Sequence, residues 1–221
     1  MPELQHIFTD SGRRVLEDPH TKTKFRRIIG GIGWPFSPTQ QPGALVVLGE
    51  ELYPDRHFDR HHVRVLIEAE LPDKARNSVD DLLSMVLGAR EDYFCWEWRG
   101  ETDNPNKEFL RRLNNRLVRS SMGRLQLRSF PKADMPEREW FSFADQLVYG
   151  RISGQKTLHF GEFSRIPETY KTYRKDIGRI PVRELPLIAA FLYALSEIDM
   201  RPFGGDARPS TYEPADPVGG Y

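Results

Sequence analysis

The chain has 221 residues, with 32 basic and 32 acidic side chains and a net charge of zero. That balance gives no bulk attraction to nucleic acid or to a membrane surface, and no apolar run approaches the roughly 18 residues of a membrane span. The single cysteine, Cys95, excludes an internal disulfide and a multi-cysteine zinc site.

The opening residues, MPELQHIFTD, lack a basic-then-apolar leader pattern, so a cytoplasmic location is expected. Residues 1–25 are polar, with Val15, Leu16 and Phe25 as anchors, and predict an arm or a short helix. Three apolar runs follow: Ile28–Ile32, Ala44–Leu52 and Val63–Leu71. In the third, Val63, Val65, Ile67 and Ala69 alternate with Arg64, Glu68 and Glu70, the period of a strand. Pro35, Pro38, Pro42 and Gly43 separate the first run from the second, and polar Tyr53–His62 separates the second from the third. Connections this short predict an antiparallel meander, with Ala44–Leu52 and Val63–Leu71 as a hairpin.

Asn77 or Ser78 can then cap a helix with Asp80 and Asp81 in its first turn and Val79, Leu82, Leu83, Val86 and Leu87 as its apolar stripe. Tyr93–Trp98 predicts a strand. Asn104 and Pro105 open a second helix, with Phe109, Leu110, Leu113 and Leu117 on its core face and Lys107, Arg111, Arg112 and Arg116 opposite. Arg124–Phe130 predicts a strand, Glu139–Tyr149 a helix and Thr157–Phe160 a short strand. Leu185–Ile198 is the most apolar helical stretch, and Leu187, Phe191 and Leu195 should face the sheet. The fold class is therefore α/β (mixed α+β): a mixed sheet of about five strands flanked by helices, in one domain over 26–199, with an irregular tail over 200–221.

The order β-β-β-α-β-α-β-α-(β)-α resembles that of the ribonuclease-H-like fold. Within it, RRIIGGIGWPFSPTQQPGALVVLGEEL, HVRVLIEAEL, SVDDLLSMVLGARED, FCWEWRGETDN and LPLIAAFLYAL resemble, in turn, the strands and helices of the nuclease domain of phage large terminase subunits. The resemblance implies three or four carboxylates converging on two magnesium or manganese ions about 3.5–4 Å apart. The first strand should end in an aspartate, but Gly33 and Trp34 stand there. The fourth strand offers Glu97, Glu101 and Asp103 as metal candidates, and only Glu184 lies near the start of the last helix. A second register makes GALVVLGEEL the first strand. Glu50 or Glu51 would then join Glu68 or Glu70, with Asp199 or Glu197 as a third acid. The plainer alternative for the strand acids is cross-strand charge on a solvated sheet face.

DRHFDRHH, Asp55 to His62, gathers three of the six histidines with two aspartates; such groups suit zinc or other transition metals, although an exposed polar turn is the plainer explanation. No G-x-S-x-G elbow and no G-x-x-x-x-G-K-[ST] loop occurs, so no nucleotide motor is expected. Arg111, Arg112, Arg116, Lys171, Arg174 and Lys175, with Tyr170 and Tyr173, could line a nucleic-acid groove or form solvated helix faces. Three functions stay open. One is a terminase-nuclease-like domain without catalytic acids or cofactor, binding DNA or a phage packaging protein. The second is an active magnesium or manganese endonuclease using Glu50, Glu97 or Glu101, and Asp199. The third is an interaction protein with another partner.

Overall fold

The computed structural model describes residues 4–10, 12, 14–35, 41–52, 62–75, 78–101, 158–175 and 184–198, with 111, 112, 114, 115, 118, 119, 127 and 128 between them. Among these residues eight strands make one mixed sheet. β1 (Gln5–Phe8) pairs antiparallel with β2 (Arg14–Glu17), and β2 with the start of β3 (Lys24–Gly33). β3, β4 (Ala44–Glu51) and β5 (Val63–Glu70) form the expected antiparallel meander, with Gly31 opposite Val46 and Val46 opposite Glu68. β6 (Glu97–Gly100) lies parallel to the second half of β3, and β7 (Leu127–Arg128) parallel to β6. β8 (Leu158–His159) pairs parallel with the start of β5.

The segment expected as an arm or short helix is thus a strand hairpin. Val15 and Phe25 anchor it in the core while Gln5, His6 and Phe8 stay exposed, the pattern of a short edge strand. A compact turn joins β2 to β3. Asp18 accepts hydrogen bonds from the backbone N–H of His20 at 2.8 Å and the hydroxyl of Thr21 at 2.8 Å. Burial works to raise the Asp18 pKa, but these hydrogen bonds outweigh it and hold the carboxyl below its ordinary value.

After a single 3-10 turn, Asp73–Ala75, comes α1 (Val79–Tyr93). Ser78 caps it by accepting from the backbone N–H of Asp81 at 3.1 Å. Phe94, left-handed at φ 53°, ends it. The strand expected from Tyr93 therefore begins only at Glu97, because Tyr93 belongs to the last helical turn. Leu82, Leu83, Val86 and Ala89 of α1 pack on one sheet face against Ile28, Ile32, Leu45, Val47 and Trp98.

The opposite face carries α2 (Ile166–Lys175) and α3 (Pro186–Leu195). Every residue of α3 is buried, including Leu187, Phe191 and Leu195 as expected, because the sheet lies under it and α2 beside it. Glu68 of β5 holds the start of α2. Its carboxylate accepts from the Ser164 hydroxyl at 2.5 Å and the Arg165 backbone N–H at 2.8 Å.

One sequence pattern misled. The alternation through β5 reads as a single apolar face, yet the pairing shifts between Val47 and Leu48, leaving Leu66 as an extra residue. Val63 and Val65 lie in the core under α3, while Leu66 and Ile67 pack against the α1-side core. A bulge inserts one residue and so reverses which face the following side chains meet. The segments 139–149 and 200–221 lie outside the described residues.

Cys95 sits just after α1, fully buried. Burial pushes its thiol well above the ordinary value, and the nearby Glu97 charge adds to this against Arg90. A disulfide reagent should therefore react with the folded chain at least about a hundredfold more slowly than with the chain in guanidinium, since only opened molecules expose the thiolate. Equal rates would place Cys95 at the surface.

Candidate functional site

The neighbouring parallel strands β3 and β6 are where the family resemblance would gather carboxylates. Successive β3 residues face opposite sides of the sheet. Ile29 belongs to the core under α3, and Gly31 and Gly33 face the same way. A Cβ built on Gly31 would lie 1.8 Å from the carbonyl oxygen of Ala190, and one on Gly33 would lie 1.8 Å from that of Pro186. These obstacles are helix backbone, which cannot swing aside. Glycine at both positions lets α3 settle directly on the strand. A carboxylate cannot occupy either position without displacing the helix. On the other face, the ring of Trp98 fills the space beside Gly30. Just past the strand, Trp34 Nε1 donates to the Glu101 carbonyl at 2.7 Å, tying the ends of β3 and β6 together.

Glu97 begins β6 and Glu101 follows its last residue. At about 3.3 Å per residue they stand about 13 Å apart along the strand, too far to share one ion. Glu97 accepts from Arg27 Nε at 3.0 Å. Arg27 also reaches the Glu197 carboxylate at 3.1 Å and the Glu197 carbonyl at 3.2 Å. Arg99 completes the group by pairing with Glu197. Two guanidinium groups thus balance two carboxylates. Glu197 follows the C-terminal end of α3, where the helix dipole disfavours negative charge, and the arginines offset that cost. Glu101 is buried at 7% exposure.

The acids of the second register are also placed apart. Glu50, 2% exposed, pairs with Arg26 beside an irregularity in the β3–β4 register. Glu51 accepts from Arg64 Nε at 2.9 Å. Glu68 caps α2, and Glu70 pairs with Arg165. Asp103 and Asp199 lie outside the described residues. Among the described residues no group of three or more His, Cys, Asp or Glu is placed to hold a metal ion.

Of the basic candidates, Arg111, Arg112 and Lys171 are exposed. Arg174 and Lys175 lie in the last turn of α2, with side chains outside the description, as is Arg116. Tyr170 and Tyr173 are core residues, so neither offers a ring face on which a base could stack. Their spacing from Ile166, at i, i+4 and i+7, was the signal that they belong to a buried stripe.

The ion-pair group around Arg27 and Glu197 escaped sequence reasoning, since its members are up to 170 residues apart. No protein-family model, curated protein or solved structure matches the chain.

Proposed function

We propose that the chain is a non-catalytic ribonuclease-H-like domain that binds DNA in packaging, sharing the scaffold of the terminase nuclease it resembles but not its acids. One observation carries this reading. Gly31 and Gly33, on the strand where the resemblance needs an acid, lie against the backbone of α3. The mixed sheet supports it too: after the β1–β2 hairpin comes the antiparallel meander β3–β5, then a helix and a strand parallel to β3. The remaining acids argue against two-metal cleavage, because Glu50, Glu97 and Glu197 are each paired with arginine. Two close divalent cations repel strongly and need several converging carboxylates to stay together.

DNA contact would fall to exposed Arg111, Arg112 and Lys171. In a neutral chain such contact is weak and steeply salt-dependent. Purified protein incubated with manganese and plasmid should leave the plasmid supercoiled. The same protein should raise the anisotropy of a labelled duplex at low salt, and the triple variant R111A/R112A/K171A should bind it at least about tenfold more weakly. Nicking that disappears in Glu50→Ala would instead establish the magnesium or manganese endonuclease. An unchanged anisotropy would leave the interaction-protein reading in its place.

A further inference from the structure

We propose that His62 and His159 form a binding site for a divalent transition-metal ion of the zinc class. They come from neighbouring parallel strands, with Val63 opposite Leu158 and Arg64 opposite His159. His62 stands immediately before β5, and its carbonyl accepts from the Glu51 backbone N–H at 2.8 Å. Its imidazole is therefore carried by backbone tied to the end of β4.

The two rings meet edge to edge. His62 Nδ1 lies 2.9 Å from His159 Nε2, and the ring planes are only 15° apart. Both residues are half-buried. A hydrogen bond between two imidazoles takes one N–H and one lone pair, so the two nitrogens share a single proton between them. Replacing that proton with a metal ion turns both lone pairs towards one point. Tetrahedral zinc, with Zn–N near 2.0–2.1 Å, needs the nitrogens about 3.3 Å apart. The nitrogens have to part by about 0.4 Å and each ring to tilt by about 35°, so that lone pairs now facing one another meet at the tetrahedral angle, a change spread over the two side-chain torsions of each histidine.

Imidazole nitrogen selects zinc, copper or nickel over magnesium and calcium, which prefer oxygen. Glu51, whose backbone N–H meets the His62 carbonyl, already accepts from Arg64 through its carboxylate. Among the described residues the ligands are the two imidazoles. The site lies at the β5–β8 edge and owes nothing to the acids discussed above. An ion there would staple strands whose histidines are 97 residues apart in sequence, so binding should also raise the melting temperature.

The full chain, stripped with chelator, would be titrated with zinc chloride by calorimetry. One equivalent should bind, with a higher melting temperature. His62→Gln and His159→Gln should each weaken zinc binding at least about tenfold, because removing either ligand dismantles the same site. The double variant H57Q/H61Q should bind as the parent does. Glutamine keeps a polar side chain at each position, and circular dichroism without metal checks the fold. Should either variant fail to fold, the imidazole nitrogen resonances of the parent chain decide, since zinc should shift those of His62 and His159 together. Absence of zinc binding, dependence on only one of the two histidines, or dependence on His57 and His61 would each overturn the proposal.

Discussion

Gly31→Ala should destabilise the chain by about 3 kcal/mol or more, at or beyond the upper end of ordinary overpacking. The added methyl would meet the Ala190 carbonyl oxygen at 1.8 Å, with the Ala194 backbone nitrogen 3.0 Å away. Neither obstacle is the movable end of a side chain. Relief requires lifting α3 from the sheet, and that exposes a helix whose every residue is buried. A control separates this from the general effect of replacing glycine. Gly88 lies inside α1, and a Cβ there meets nothing within 4 Å. Gly88→Ala should be stabilising by up to about 1 kcal/mol, the difference in helix propensity. Urea unfolding of both variants gives the comparison. Similar values for the two would show that α3 does not rest on β3.

Phe191→Ala should cost about 3–5 kcal/mol, the range for a large aromatic removed from a core. Its ring lies between Tyr170, edge-on with centroids 6.5 Å apart, and Phe160 at 6.1 Å. It joins α2, α3 and the chain after β8, so its loss opens a cavity where three segments meet. Leu195→Ala, on the same helix, should cost about 2–5 kcal/mol. Phe163 provides the reference. It is 89% exposed, and its replacement by alanine should stay within about 0.5 kcal/mol of zero. Equal losses at 163 and 191 would mean that α3 packs elsewhere.

The meander was legible because two local signals agreed. Alternation marked the strands, and proline-rich or polar inserts marked the turns. Ser78 was legible as a cap, since a hydroxyl three residues before the acceptor-seeking N–H of Asp81 needs only local geometry. The reversal at Leu66 was not, because a bulge is decided by the partner strand and leaves the sequence alternation intact. The N-terminal hairpin was missed for a different reason. Its apolar content is small, but Asp18, Pro19 and Thr21 spell out a turn whose hydrogen bonds could have been read. The absence of an acid at Gly33 was visible in the sequence. The cause was not, because the contact of β3 with α3 joins residues about 150 positions apart and exists only in the folded chain.

Crystals of the full chain soaked in manganese, examined by anomalous scattering, test the non-catalytic assignment most directly. The expected map has no manganese within coordination distance of Glu97, Glu101 or Glu50, and shows the α3 backbone seated against Gly31 and Gly33. Two ions about 3.5–4 Å apart, bridged by carboxylates at the ends of β3 and β6, would contradict it, because that is the arrangement two-metal cleavage requires.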